Sequence, residues 1–449
     1  MSQCGPTFLS HQLEKGTGDK TWLSRQDVDK RPSGIAIAAS QQPEAGADVV
    51  SIDTTADRPV SAIDPFSHEF LRDPYPHHEA LREAGPVVWL EQYGIWTMAR
   101  HQEVRDALTD WQTYCSSAGV GLSDFRKEPP WRPPSIILEA DPPLHTRTRA
   151  VLTRILSPAA INILRAAFER EAELLVARLV EQREFDGVRD LAEAYPLKVF
   201  PDAVGLSEDG RENLLPYGNM VFNSFGPRND LFDTAMANAG PVRDWIMSKC
   251  SRAALAPGGL GMQIFGAVDA GELTEVEAGM LVRSFLSAGI DTTVYGLGNA
   301  LHCFAGHPAQ WNILRENPQL IRGAFEEVLR FEAPVQTFFR TTTRDVEVGG
   351  VRLGDGEKVL LFLAAANRDP RRWENAEKFD VRRRATGHMT FGTGIHGCVG
   401  QALARLESEA VFGALARRVA SFEPTGEPTR RLNNTLRGLD TLPLRIVPA

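Results

Sequence analysis

Apolar residues recur at helical spacing over most of this chain and alternate over only a small part of it. Helical periodicity runs through residues 77–84, 144–156, 158–182, 211–225, 238–252, 273–305, 308–315 and 319–332, where intervals of three and four place apolar side chains on one face. Several segments open on a helix-start signal, as at Ser157-Pro158 and Thr274-Glu275, because a hydroxyl can cap free N–H groups there. Alternation is confined to 87–90 and 94–98, with Gly94 at the turn, and reads as a hairpin. The pattern predicts a mainly α fold with a minor β region.

Between 116 and 143 the periodicity stops. Gly119, Gly121 and the prolines at 129, 130, 133, 134, 142 and 143 forbid a long helix and mark a structured loop of the kind that carries function. Residues 1–60 are polar, with one short apolar stretch at 34–39, and read as a mostly disordered N-terminal extension. No linker follows, so 61–449 is expected to form one large domain.

Composition narrows the function. A net charge of −9 argues against a general nucleic-acid-binding surface. Five cysteines, at 4, 115, 250, 303 and 398, form no CxxC pair and are odd in number, which disfavours a disulfide framework or a zinc site and suits a reducing cytoplasm. No apolar run approaches the roughly 18 residues that span a bilayer, so no membrane association is expected.

The chemistry concentrates at Cys398, which closes Phe391-Gly392-Thr393-Gly394-Ile395-His396-Gly397-Cys398-Val399-Gly400. Gly392 and Gly394 permit backbone angles that let the loop wrap one sulfur, and Gly400 removes a side chain where a large ligand would approach. The helical run from Gln401 puts Cys398 near a helix N-terminus, which favours a thiolate. Such a loop suits holding one sulfur against a flat metal macrocycle. It resembles the haem-thiolate signature of the cytochrome P450 family, and the resemblance extends from about residue 60 to the end.

The resemblance implies haem b with Cys398 as axial ligand and dioxygen as co-substrate. It also implies electrons from NAD(P)H through a ferredoxin reductase and a [2Fe–2S] ferredoxin, since the chain carries neither module, and a monomer. Arg405 is a plausible basic contact for the ferredoxin. In Ala288-Gly289-Ile290-Asp291-Thr292-Thr293, the Thr292 hydroxyl can bond back to the carbonyl at 288 and open the helix; the sextet is similar to the family's acid–alcohol pair, with Asp291 as a proton carrier turning between solvent and groove. His145, Arg149, Arg340, His388 and His396 stand at positions matching the family's propionate contacts. Glu327 and Arg330, three apart on a helix, with Arg383, resemble its structural ion-pair network.

Ser284 lies two helical steps of four before Thr292, about 12 Å along an ideal helix, with Ala288 between. Arg132 and Ser135 in the Pro-rich loop, Arg283 beside Ser284, and the walls Phe222, Phe225 and Phe338 fit an aromatic acid with its para substituent over iron. These residues look like those of a bacterial subfamily that oxidises para-substituted benzoates, notably by demethylating 4-methoxybenzoate. A monooxygenase of a neutral terpene or biosynthetic intermediate, and a non-catalytic haem sensor or carrier, are the other readings.

Overall fold

The computed structural model describes residues 58–449. The 1–60 extension therefore lies almost entirely outside the described residues. A six-stranded sheet runs in the order Val60–Ser61, Val88–Leu90, Ile95–Met98, Lys358–Phe362, Thr337–Thr342, Tyr114–Cys115. Its hairpin is the predicted one, antiparallel with Val88 opposite Thr97, and Gly94 takes φ +60° in the turn. A second sheet joins Val419–Pro424, Pro443–Pro448 and Glu184–Asp186.

Helices make up most of the rest, and two of them are enclosed on every side. Gln401–Arg418 buries Leu403, Leu406, Glu407, Ala410, Val411, Phe412 and Leu415, and Arg165–Gln182 packs along it. Asp291–Gly306 buries nearly all its side chains, as a helix through the centre of a large core must. Among the described residues, no single helix is long and apolar enough to cross a membrane.

The predicted helix starts are built as expected. Ser157 Oγ accepts the Ala160 N–H, and Thr274 and Glu277 cap each other reciprocally. Two predicted helices are each split in two. The 158–182 segment forms Pro158–Asn162 and Arg165–Gln182, and the 273–305 segment forms Glu275–Ala288 and Asp291–Gly306. Among the helices that escaped the periodicity are His101–Thr109, Ala194–Val204 and Leu260–Asp269. The second contains Pro196 in its first turn and Pro201 in its interior, residues that argue against a helix until the surrounding core outweighs the cost.

Candidate active site

The Cys398 loop is a tight turn pinned to its surroundings. Gly392 and Gly394 take φ +64° and +66°, and Cys398 N–H donates to Phe391 O at 2.7 Å. A side chain at Gly394 would run into the carbonyl of Leu108 at 2.6 Å, so the loop lies directly on the His101–Thr109 helix. Burial pushes the Cys398 thiol up, while backbone N–H groups of Gly400 and Gln401 and the nearby Arg149 and Arg405 pull it down. Those N–H groups form the first turn of the helix ahead, a positive end aimed at the sulfur.

A buried network fixes this loop to the core. Glu327 and Arg330 are fully buried and form a two-pronged pair at 2.7 and 2.9 Å. Arg383 Nε reaches Glu327 at 3.1 Å. Arg330 also donates to the carbonyls of Asn367, Ala376 and Lys378. Asn367 in turn holds Thr390 Oγ1 and the Met389 N–H, immediately ahead of the Cys loop. The predicted structural trio is thus assembled, and Asn367 and Thr390 are the links that the motif order alone did not reveal.

Arg149, Arg340 and His396 line the cavity that also holds Cys398. The His145 ring lies 4.3 Å from that of His396, and both Nε2 atoms are buried without a hydrogen-bond partner among the described residues. His396 Nε2 stands 3.8 Å from Asp141 Oδ1, a charge contact too long for a hydrogen bond. Burial lowers His145 to about 4, with His396 and Arg149 adding to the effect. Arg340 is 3% exposed and spends one donor on Phe339 O; burial brings it down to about 10, still charged at neutral pH. Arg149 donates to the carbonyls of Ile395 and Gly397. Orphaned imidazole nitrogens and an underused guanidinium on one side, with a thiol on a glycine-lined floor, fit an anionic flat macrocycle such as haem.

The expected roles of His388 and Arg405 are corrected. His388 does not line the cavity; its Nε2 meets the Glu326 carboxylate at 3.1 Å, which holds the ring in the core. Arg405 is claimed by the same carboxylate, at 2.6 and 3.1 Å, and by Gln401, so it is an internal brace rather than a free docking cation.

Above the cavity the long helix breaks. Thr292 Oγ1 donates to Ala288 O at 3.0 Å, as expected, and the regular ladder resumes where the Thr293 and Val294 N–H groups reach Ile290 O. A side chain at Gly289 would meet the Phe200 ring at 2.3 Å, so the break is closely packed. Ala288, Gly289, Thr292 and Thr293 face the cavity. Asp291 does not. Its carboxyl is buried, Oδ2 has no partner among the described residues, and a Cβ on Gly218 would stand 1.6 Å from that oxygen. Burial raises Asp291 to about 8. The carboxyl therefore rests in a niche against the Leu214–Asn223 helix instead of turning toward solvent.

Glu407, which the motifs did not single out, also lines the cavity. Its Oε2 has no partner among the described residues, and burial raises its carboxyl well above the ordinary range. An acid four residues from Leu403 and from Val411, both buried, was the available signal.

The far wall carries Arg132, Ser135, Ser284, Phe222, Phe225 and Phe338. Ser135 Oγ and Ser284 Oγ are 3.0 Å apart. Phe222 and Phe225 pack edge to face at 5.8 Å, and Phe225 lies 5.9 Å from Phe338. Gly121 allows the Pro-rich loop to dock on Phe225, whose backbone would stand 2.7 Å from a side chain there. Arg283 is the exception: it faces away from the cavity, 4% exposed, and donates to the carbonyls of Pro133 and Pro134 at 2.8 and 3.2 Å. Its direct contact with a ligand is thereby corrected to a hold on the loop.

Comparison with known proteins agrees with this geometry. The profile of the Cytochrome P450 family matches residues 261–444. Cytochrome P450 CYP199A2 of Rhodopseudomonas palustris is 55% identical over 392 residues, covering 87% of this chain and 95% of that protein. Vitamin D(3) 25-hydroxylase of Pseudonocardia autotrophica is 31% identical over 394 residues, covering 86% and 96%. Among solved structures, cytochrome P450 CREJ in complex with (4-ethylphenyl) dihydrogen phosphate superposes with TM-score 0.78 at 27% identity, over 86% of this chain and 99% of that one.

Proposed function

The chain belongs to the cytochrome P450 family, and within its monooxygenase activity we propose that it oxidises para-substituted benzoates, demethylating 4-methoxybenzoate. Members of the family hold haem b on a cysteine thiolate and draw on NAD(P)H through redox partners; a [2Fe–2S] ferredoxin is the partner proposed here. Bound haem supplies the redox iron at which dioxygen is reduced and one oxygen atom reaches the substrate.

The chain's own residues bind, orient and move protons. Cys398 Sγ would hold the haem iron; burial pushes its thiol up, and the Gly400 and Gln401 N–H groups offset part of that rise in favour of the thiolate. Arg149, Arg340, His145 and His396 would hold the propionates. Asp291, held protonated at neutral pH by burial, is the proton store, and the neighbouring Thr292 hydroxyl passes protons to the cavity. The three phenylalanines clamp the ring, and Ala288 leaves room above the haem. Hydroxylation of a para-methoxy carbon gives a hemiacetal that falls apart to 4-hydroxybenzoate and formaldehyde.

The observation that carries the substrate class is the Ser135–Ser284 hydroxyl pair beside Arg132 on the cavity wall, a donor set suited to a carboxylate. The (4-ethylphenyl) phosphate held by CREJ supports the same shape, an anionic head on a para-alkyl ring. Optical titration of the ferric protein with 4-methoxybenzoate and with neutral 4-methoxytoluene tests it. A low-to-high-spin Soret shift with the acid alone is expected; a haem spectrum unmoved by either compound would leave the family and discard the substrate.

A further inference from the structure

We propose, building on the aromatic-acid pocket above, that Glu139 sets the charge this pocket accepts. It is an internal carboxylate that occupies the fork of Arg132, leaves one uncancelled cation, and thereby selects monoanions over dianions.

Arg132 Nη1 and Nη2 donate to Glu139 Oε2 and Oε1 at 2.9 and 3.2 Å, with the side chains 8% and 2% exposed. Glu139 Oε2 also takes the Ser135 N–H at 2.6 Å. Arg132 lines the cavity and Glu139 does not. A ligand therefore meets a guanidinium whose outer fork is already filled and whose buried Nε has no partner among the described residues.

Arg283 completes the cluster. Its Nη2 and Arg132 Nη1 donate to the same carbonyl, Pro133 O, at 2.8 and 3.1 Å. Two guanidinium groups on one oxygen repel, and in a site shielded from water that repulsion is weakly screened. Among the described residues, Glu139 is the carboxylate paired with Arg132, and Arg283 has no acidic partner within ion-pair distance. The nearby Tyr217 and Cys250 add no charge: burial raises both, the thiol to about 12. Two cations against one anion leave a single positive charge at the acid end. A benzoate cancels it. An aryl phosphate dianion overshoots and must bury a charge without a counterion.

The test compares dissociation constants of 4-ethylbenzoate and 4-ethylphenyl phosphate at pH 8, by calorimetry on ferric holoenzyme with haem content measured alongside. Wild type should favour the benzoate at least tenfold. Glu139→Gln keeps the shape but frees a second positive charge, and should narrow that ratio tenfold or more, about 1.4 kcal/mol. The double variant Arg132→Gln/Glu139→Gln returns to one net charge and should restore the wild-type ratio. A ratio within twofold of wild type in E139Q, or one still narrowed in the double variant, overturns the role of Glu139 while leaving the aromatic-acid pocket standing. Wild-type protein that binds neither compound overturns the pocket itself. If E139Q does not take up haem, Arg283→Gln serves: with no net charge left, its preference for 4-ethylbenzoate over 4-ethyltoluene should fall at least tenfold, and a retained preference overturns the charge count.

Discussion

At the scale of single residues, Asp291 is the group whose environment departs most informatively from water. Its carboxyl has an ordinary value of 3.8 and is raised by burial to about 8. Between those values the folded chain keeps a proton that the unfolded chain releases. Asp291 therefore favours folding less and less as pH climbs from about 4 to about 8, by up to roughly 1.4 kcal/mol per unit, and the loss levels off above. Asp291→Asn removes this slope. Denaturant melts of the two proteins should show the Asn variant gaining on wild type between pH 5 and pH 8, even as its product formation falls tenfold or more with benzoate affinity unchanged. At the other end of the cavity, Ser284→Val deletes the hydroxyl partner of Ser135. It should weaken 4-methoxybenzoate binding by about 1–3 kcal/mol, the cost of stranding a buried polar group, with haem content unaltered; equal affinity in the spin-state titration would remove Ser284 from the acid end.

At the scale of elements, the break between Glu275–Ala288 and Asp291–Gly306 joins proton store to cavity, and the Leu214–Asn223 helix closes it from behind. Gly218→Ala would put a methyl group where Asp291 Oδ2 now lies. The expected result is a carboxyl driven from its niche, with product formation slowed to the level of Asp291→Asn, and a stability loss of about 1–3 kcal/mol from overpacking; both are measurable by steady-state turnover and thermal melts. The Thr292 hydroxyl bond was legible in the sequence because Thr can bond four residues back. The niche was not, since it depends on a glycine 73 residues away in the chain. The same divide runs through the fold. Hydroxyl caps at Ser157 and Thr274 declare themselves locally. The Ala194–Val204 helix runs through Pro201 because its neighbours bury it, and the three-residue strand Glu184–Asp186 owes its form to pairing with the C-terminal Pro443–Pro448 strand. Cys398 was readable from ten consecutive residues; the turning of Arg283 and His388 toward internal partners was not, because each had two plausible destinations and only packing chose between them.

At the scale of the molecule, the Arg330 guanidinium ties the Ile321–Phe331 helix to the carbonyls of Asn367, Ala376 and Lys378, and Asn367 carries the connection on to the residues ahead of the Cys loop. The guanidinium makes five hydrogen bonds with no exposed surface. Arg330→Met leaves Glu327 buried with Arg383 as its one ion-pair partner among the described residues and three carbonyls short of a donor, which should cost on the order of 3–5 kcal/mol. Expression would then yield protein poor in haem, read by the haem-to-protein absorbance ratio; full haem loading would contradict the brace.

The Pro-rich loop has its own fastenings. Leu122 N–H holds Phe225 O, Lys358 Nζ holds the carbonyls of Ala118 and Gly119, and Arg283 with the Ser135–Ser284 contact holds the stretch from Pro133 to Ser135. Between these points residues 126–129 lie exposed. Even there Arg126 is bound to Asp124 and to Gly356 O. Because the loop is fastened at so many points, a guest passes it only where such contacts part, and a methoxy acid and its phenolic product, which share the carboxylate, would break the same contacts on the way in and on the way out.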